Sequence, residues 1–369
     1  MSEPGWVPVW AMPNVTLDTP IEASHVALVP SNDERPLAIA RRKPALATFL
    51  GAFRNEFERW VSPTIGLVRE DAHEGVFTVA AFGGFRDAVC VSAIVAGQAQ
   101  TMERDSPPRG ILHSDAFDVY PWFLTRQMDG RISTRTPALS GLHTVDDIRP
   151  QSAPALGNRD LSRLHLDEPL LGALVARWER CFASGDESVE DRRLFRALDM
   201  ARAASKTPGG TDASEHDAGR AVALWVSAFE ILAHDGKRAD LVRVLSLFNQ
   251  PQWLREELKA QDREIVHRNK TIQTNRAGIL YKCLYDVRNA FLHGEEVTPK
   301  TLKLKACQQS VLFFAAPLFR LALTAFLDLR ILETATDDKG RWREMSARKP
   351  QRDAEGAILF ADHPPKPKR

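Results

Sequence analysis

The stretch Leu284–Gly294, with the sequence LYDVRNAFLHG, closes an apolar segment of the chain and is followed at once by two glutamates. Apolar residues recur every three to four positions along Arg276–His293, which predicts an amphipathic helix over this range. Glycine is the preferred residue just beyond a helix C-terminus, so Gly294 predicts where this helix ends. The pattern therefore places Arg288 and His293 close together in sequence at the end of one helix.

The polar residues of this helix end have defined positions around the helix axis. Asn289 and His293 are four residues apart, so they share one side of the helix. Arg288 precedes His293 by five residues, an offset of about 140° around an ideal helix. An arginine side chain is long and flexible enough to reach around that offset, so the three residues can act on one ligand.

These residue types suit the cleavage of RNA. Internal attack on a phosphodiester removes a proton from a 2′-hydroxyl, delivers one to the 5′-oxygen and builds negative charge on the phosphate. Histidine, with a reference pKa of about 6.5, can accept or donate such protons, and arginine can bind the phosphate through two parallel hydrogen bonds. The reaction needs no metal, and no cluster with metal-ligand spacing flanks the stretch. We therefore predict Arg288, His293 and Asn289 as catalytic residues, with no metal and no cofactor.

The number of histidines raises the question of assembly. One helix end supplies one histidine, whereas a reaction with a separate base and acid uses two. A twofold dimer presents the same surface twice. We therefore expect a homodimer or higher oligomer that combines two copies of the stretch.

A second segment, Ala221–Leu232 with the sequence AVALWVSAFEIL, precedes the first and joins a tryptophan to Glu230 on a helical pattern. This segment and the string Tyr-x-x-Arg-Asn-x-x-x-His-Gly, which begins at Tyr285, are similar to two segments of HEPN domains. The resemblance covers Leu161–Leu332. It is nearest to the Apea-like HEPN families of bacterial anti-phage proteins.

The resemblance implies an all-α bundle whose arginine and histidine are catalytic and whose active site combines two domains. Carried to this sequence, it assigns those roles to Arg288 and His293, with Asn289 as a helper and Glu230 and Tyr285 as supporting residues. It implies a metal-independent endoribonuclease in bacterial defence or toxicity. Many HEPN domains bind RNA or protein partners without cutting, so a non-catalytic binding module in a defence complex remains the alternative.

Other interpretations of the same side chains stay open at this point. Arg288 can instead pair with Asp286, Glu295 or a distant carboxylate. His293 can be a helix-end histidine bonded to a carbonyl. Glu230 either faces Arg288 or lies on a solvated helix face.

The aromatic pair Trp225 and Phe229 and the imidazole of His267 each allow two interpretations. Trp225 and its neighbour Phe229 fit a core better than a platform for RNA bases. His267 lies in a basic stretch, where a solvated surface position competes with a contact to phosphate.

The first 150 residues predict a mixed α+β region for sensing or recruitment. Strands are expected in several short runs: His25–Val29, Gly75–Phe82, Ala88–Ala96, Ile111–Trp122 and Arg131–Thr136. Helical spacing extends over Pro44–Trp60. The fold class is therefore α+β, with the mixed region preceding an all-α helical bundle.

The rest of the chain divides by composition. Asp146–Asn158 predicts an interdomain linker, and residues 159–333 predict the helical domain. Within that domain, Gln250–Asn275 is charged and weakly periodic, which favours a mobile insert. Thr298–Leu332 predicts one long helix kinked at Pro317. Residues 336–369 are polar and predict a flexible tail.

Composition limits the possible partners. The chain has 369 residues, 44% of them hydrophobic, and a formal net charge of +1, so any RNA-binding surface must be a local patch. Four scattered cysteines and an N-terminus without an apolar core favour a reduced, cytoplasmic protein. Val311–Leu332 is apolar, but an arginine at a bilayer centre costs about 2.5–3.5 kcal/mol, and Arg320 lies mid-span. We therefore expect no membrane partner. From the motif and the resemblance, we expect RNA as the substrate and a phage-derived or accessory protein as a possible trigger.

Overall fold

The computed structural model of the chain describes residues 5–55, 58–103, 113–121, 131–135, 140–144, 160–207, 213–234, 236, 240–250, 253–330 and 338–362. In this structure, 59% of the residues are helical and 14% are in strands. A small antiparallel sheet lies in the N-terminal region, and helices follow it. The predicted α+β class is therefore confirmed. The predicted linker, Asp146–Asn158, lies outside the described residues.

The chain forms two compact units. The first contains residues 1–86, 113–163 and 178–187, and the second contains 87–112, 164–177 and 188–369. The chain passes between the units more than once, so they do not coincide with the predicted domains of residues 1–150 and 159–333. Each unit is described separately below.

The first unit is built on a five-stranded antiparallel sheet with the strand order β3-β4-β5-β1-β6. Its strands and those of two smaller pairings are β1 Trp6–Met12, β2 Thr16–Leu17, β3 Ile21–Glu22, β4 Val26–Val29, β5 Thr64–Arg69, β6 Tyr120–Pro121, β7 Arg131–Arg135, β8 Ser140–Thr144 and β9 Asp160–Leu161. Two helices, α1 Glu34–Arg42 and α2 Pro44–Leu50, follow β4. Leu46 and Phe49 of α2 pack with Phe53 against Ala11 of β1, which forms an apolar core beside the sheet.

The strand predictions for this region are confirmed in part. β4 and β7 match two of the predicted runs, and β6 occupies two residues of the predicted strand Ile111–Trp122. Pro44–Trp60 is helical only to Leu50, because Gly51 forms the C-cap.

The predictions of strands over Gly75–Phe82 and Ala88–Ala96 are wrong. A 3-10 turn covers Glu74–Phe77, and one 25-residue helix, α3, covers Val79–Glu103. The residues of α3 are apolar or small on nearly every side, so they lack the period that distinguishes a buried helix from a buried strand. By length and composition, Val79–Met102 is long and apolar enough to cross a membrane, but 72% of its most apolar window is buried in the fold. A buried core helix passes the same test.

The second unit is mainly helical. In addition to part of α3 it contains α4 Glu168–Trp178, α5 Val189–Ala204, α6 Glu215–Ala233, α7 Leu241–Leu247, α8 Glu256–Lys259, the hairpin of β10 Arg263–His267 and β11 Lys270–Thr274, α9 Arg276–Leu292, α10 Pro299–Leu302, α11 Leu312–Phe326 and α12 Asp338–Asp362. Helix α6 packs against α5, α9 and α11. The ring of Phe229 on α6 contacts the rings of Tyr281 and Phe319, and Trp225 also contacts Phe319. Trp225 and Phe229 are therefore core residues, as predicted.

Three expectations for the second unit are corrected. The segment Gln250–Asn275, predicted as a mobile insert, contains α8 and the β10–β11 hairpin. Thr298–Leu332, predicted as one helix, contains α10 and α11, with Pro317 inside α11. The predicted tail, residues 336–369, includes the 25-residue helix α12, and residues 363–369 lie outside the described part. Low hydropathy hid this helix because its buried face combines small alanines with hydrogen-bonded polar side chains.

The apolar helix α11 carries a buried ion pair. Arg320 is 3% exposed, and its Nε lies 2.7 Å from Oδ2 of the fully buried Asp167. Arg320 also donates to Gln351 of α12. The charged residue that argued against a membrane span is therefore neutralised inside the second unit.

Removal of this arginine is expected to destabilise the fold strongly. Arg320→Ala leaves Asp167 buried without its cation, which costs about 3–5 kcal/mol in comparable pairs. Urea unfolding followed by circular dichroism measures the loss. The control is Arg330→Ala, because Arg330 is 79% exposed and pairs only loosely with Asp328. A loss below about 1 kcal/mol for Arg320→Ala would show that the pair is not a structural anchor.

Glu355 of α12 gives a second stability prediction, this time with a pH dependence. Burial raises the pKa of Glu355 above its usual value of 4.5, although the backbone N–H groups of Leu254 and Arg255 donate to its carboxylate. A raised folded-state pKa contributes stability that is complete below the unfolded pKa and is lost as pH rises through the folded pKa. The stability of the wild type relative to Glu355→Gln is therefore expected to fall as pH rises from about 4.5. Urea titrations of both proteins across that range test this, and a difference that stays constant or grows with pH contradicts it.

Candidate functional site

Helix α9 has the limits that its sequence predicts. The side chain of Asn275 accepts a hydrogen bond from the backbone N–H of Gly278 and caps the N-terminus. At the other end, the backbone N–H of His293 donates to the carbonyl of Asn289 over 2.9 Å. Gly294 has a φ of +79°, a left-handed conformation that glycine adopts without strain. The predicted helix and its glycine end are both confirmed.

The helix end lies close against α6. A Cβ built on Gly219 of α6 would lie 2.6 Å from the ring of Phe291, so a glycine is needed where the two helices approach. This packing brings side chains of the two helices together along their length. The site is therefore supported by the core of the second unit.

Arg288 forms an ion pair with Glu230 on α6. The pair joins Nη2 of the arginine to Oε1 of the glutamate, and the two side chains are 17% and 25% exposed. The guanidinium carbon also lies 4.7 Å from the centre of the Tyr285 ring. Glu230 and Tyr285 therefore hold the guanidinium from two sides. The expectation that Glu230 faces Arg288 is met.

The carboxylate of this pair lies in a poorly solvated environment. Burial raises the pKa of Glu230, although the neighbouring Arg288 acts in the opposite direction. The adjacent Tyr281 is fully buried, its hydroxyl has no partner among the described residues, and burial raises its pKa well above the usual range. The ion pair is thus screened from water on the side that faces the core.

Arg288 keeps hydrogen-bonding capacity beyond this pair. A guanidinium has five N–H donors, and Nε of Arg288 is buried with no partner in the described part of the chain. The nearby Asp286 is one of the partners considered from the sequence. It instead forms an ion pair with Lys282, with 2.5 Å between Oδ1 of Asp286 and Nζ of Lys282. Among the described residues, the arginine therefore has one carboxylate partner. The donors left for a phosphate are the remaining N–H groups of its Nη atoms, because Nε is buried.

Among the described residues, the side chains of His293 and Asn289 form no hydrogen bond, ion pair or ring contact with this cluster. His293 is exposed and Asn289 is half-buried, and within the described residues neither side chain makes a hydrogen bond. The reason is geometric, since helical side chains lean toward the N-terminus of their own helix. The guanidinium of Arg288 is drawn back over Tyr285, whereas His293 stands at the far end. One chain thus brings Arg288, Glu230 and Tyr285 together but not His293.

The structure adds His267 to this region. Its imidazole centre lies 6.0 Å from the centre of the Tyr285 ring, with the two rings nearly perpendicular. The β10–β11 hairpin therefore contacts α9 at Tyr285, whose ring also contacts the guanidinium of Arg288. From the sequence, a solvated surface position for His267 was favoured over a contact with phosphate, and the structure places it half-buried beside Tyr285.

His234, four residues after Glu230, has a structural role at the end of α6. His234 is the C-cap of α6, and its Nδ1 accepts a hydrogen bond from the backbone N–H of Gly236 at 2.9 Å. Its carbonyl accepts a hydrogen bond from Arg193. These bonds fix the end of α6 and give His234 no direct part in the Arg288 cluster.

Over the part of the chain that the structure describes, no group of three or more histidine, cysteine, aspartate or glutamate side chains is arranged to hold a metal ion. Within the described residues, Cys90, Cys181, Cys283 and Cys307 form no disulfide bond.

Comparison with known proteins gave no relative. No protein-family model, no curated protein and no solved structure matches the chain.

Proposed function

We propose that the protein is a HEPN-type endoribonuclease that cleaves RNA without a metal. The observation that carries the proposal is Arg288, held by Glu230 and Tyr285, with the exposed His293 at the terminus of the same helix. A positioned cation and an exposed imidazole at the end of the same helix are the two kinds of group that phosphodiester cleavage needs. The resemblance of the two segments to HEPN domains gives the same assignment.

The proposed reaction uses only the chain and the RNA. The 2′-oxygen attacks the adjacent phosphorus, the new O2′–P bond forms and the P–O5′ bond breaks. One imidazole accepts the 2′-hydroxyl proton, another delivers a proton to O5′, and Arg288 donates to the non-bridging oxygens. Asn289 orients His293 or the phosphate. The products carry a 2′,3′-cyclic phosphate and a 5′-hydroxyl.

The position of His293 supports a composite site. Within one chain its imidazole is outside the cluster around Arg288, so one chain offers an incomplete set of groups. In a twofold dimer, the second copy would bring a second helix end to the same cleft. We propose that the active form is such a homodimer or a higher oligomer.

The biological setting of the proposal follows from the resemblance. We propose that the protein cuts cytoplasmic RNA in bacterial defence or as a toxin. The first unit would sense a phage-derived or accessory protein and control the nuclease. No membrane is involved.

One observation favours a different function. Glu230 already neutralises Arg288, and His293 is not beside it in one chain. An ion-paired arginine is common in proteins that use the surface only for binding. The second candidate is therefore a non-catalytic RNA- or partner-binding module of a defence complex.

An RNA cleavage assay with the full chain separates the two functions. Labelled RNA is incubated with purified protein in EDTA, alone and with extract from phage-infected cells. Cleavage by the wild type, and none by the double variant Arg288→Ala/His293→Ala, is expected. RNA left intact by the wild type under both conditions would contradict the nuclease and favour the binding module.

Glu230 is expected to act as a positioning residue for Arg288. Glu230→Gln retains the shape but removes the charge that anchors the guanidinium, and a small misplacement of a catalytic group can cost about 10²-fold. We expect kcat to fall about 10- to 100-fold with KM unchanged or lower, since a negative charge near the phosphate is removed. Steady-state cleavage of a short RNA measures both constants. Glu295→Gln, an exposed change at the same helix end, is the control, and equal kcat values for the two variants would rule out the positioning role.

A further inference from the structure

The turn of the β10–β11 hairpin lies beside the proposed catalytic cluster, and nothing so far gives it a function. We propose that this turn, residues 267–270, binds the RNA backbone and that His267 is a second proton-transfer group within the same chain as Arg288. This inference rests on the proposed nuclease function. It adds a residue and a binding element to that site.

The geometry places His267 and Arg288 on one tyrosine. The imidazole of His267 meets the Tyr285 ring edge-on at 6.0 Å between centres, and the guanidinium carbon of Arg288 lies 4.7 Å from the centre of that ring. The two groups are therefore separated by no more than the sum of these distances. This separation is short enough for one RNA strand to contact both groups.

The hairpin concentrates positive charge at its turn. Arg268 and Lys270 are exposed and, among the described residues, neither forms an ion pair. The acidic residue of the hairpin, Glu264, lies toward the base and accepts a hydrogen bond from Gln273. With a formal net charge of only +1 for the whole chain, RNA must bind a local patch, and these two cations form one at the turn that carries His267.

The backbone of the turn is strained at the arginine. Arg268 and Asn269 have φ values of +49° and +62°, which is the left-handed conformation of a two-residue hairpin turn. Asparagine tolerates this conformation and glycine adopts it without strain, but arginine does not. The chain therefore places a cation at the tip of the hairpin at the expense of stability, as is common where a residue contacts a ligand.

The reaction has two proton transfers, and a second histidine would provide a separate group for each. As the O2′–P bond forms, one imidazole takes the proton of the 2′-hydroxyl. As the P–O5′ bond breaks, an imidazolium gives a proton to the leaving oxygen. His267 supplies one of these two groups, the His293 that a second copy brings to the composite site supplies the other, and Arg288 supplies the charge that stabilises the phosphate.

The role of His267 is tested by removal and chemical rescue. His267→Ala is expected to reduce cleavage of a short RNA at least 100-fold, and free imidazole in the buffer is expected to restore part of the rate. His73→Ala, in the first unit, is the control and is expected to cleave like the wild type. A structural role for His267 would not be rescued by imidazole.

The role of the turn is tested by two glycine variants. Arg268→Gly relieves the strain and removes the charge, so it is expected to raise Tm while weakening the binding of a 2′-O-methylated RNA by 3- to 10-fold. Asn269→Gly keeps the charge of Arg268 and changes a residue that already tolerates the left-handed conformation, so it is expected to leave both Tm and binding close to those of the wild type. Unchanged binding for Arg268→Gly would exclude the turn from the RNA surface.

The outcomes separate this inference from the nuclease proposal. If His267→Ala cleaves at the wild-type rate, or is not rescued, while Arg288→Ala is inactive, the inference is wrong and the nuclease stands. If the wild type does not cleave RNA, both are wrong.

Discussion

Arg288→Ala is expected to lower the rate of RNA cleavage about 10³-fold, because it removes the donors that stabilise charge on the phosphate as the new bond forms. Arg288→Lys is expected to remain at least 10-fold slower than the wild type. Lysine keeps the positive charge but lacks the planar pair of donors that engages two phosphate oxygens, and it loses the contact with Tyr285. Single-turnover cleavage of a labelled RNA measures all three rates.

The fold is expected to survive this substitution. Loss of Arg288 leaves Glu230 without its cation, but burial already raises the pKa of that carboxyl, so Glu230 can take up a proton instead of remaining an unpaired charge. Tm checks this point. Arg220→Ala on α6 is the control, since Arg220 is 62% exposed and, in the described part of the chain, pairs only with the neighbouring Asp217. Cleavage by Arg288→Ala at the rate of Arg220→Ala would place the active site elsewhere.

His293→Ala is expected to lower cleavage by about 10²- to 10⁴-fold, the range typical for loss of a general acid or base. The side chain is exposed and makes no hydrogen bond within the described residues, so its removal should leave stability within about 0.5 kcal/mol of the wild type. The variant should therefore bind a 2′-O-methylated RNA normally while failing to cut the unmodified one.

The control for His293 lies two residues beyond the glycine end of the helix. Glu296→Ala changes an exposed residue of the same turn and is expected to cleave like the wild type. If His293→Ala retains full activity while Arg288→Ala is inactive, the imidazole that transfers the proton is another one, and His267 is the first to examine. If both variants retain full activity, the proposal fails.

The part of the site that depends on local periodicity could be predicted from the sequence. The limits of α9 follow from its apolar face and from Gly294, and the core positions of Trp225 and Phe229 follow from the same kind of pattern. The pairing of Glu230 with Arg288 was one of two alternatives that the sequence left open, and the structure contains it. Each of these rests on a signal within one helix or between two.

Features that depend on tertiary contacts were missed. α3 was expected as two strands because its small apolar residues are buried on nearly every side and leave no period to read. α12 was expected as a tail because its buried face includes Glu355 and Gln351, whose hydrogen-bond partners lie far away in the sequence. His267 lies beside Tyr285 only because an unusual Arg-Asn turn folds the hairpin onto α9.

The central claim is that RNA is cut by its own 2′-hydroxyl at the helix end that carries Arg288 and His293. The most direct test maps one cleavage position in a short RNA, replaces the nucleotide 5′ of that position by its 2′-deoxy form, and determines the ends of all fragments. We predict fragments with 2′,3′-cyclic phosphate and 5′-hydroxyl ends, and no cleavage at the deoxy position. Fragments with 5′-phosphate ends, or undiminished cleavage at the deoxy position, would contradict the claim.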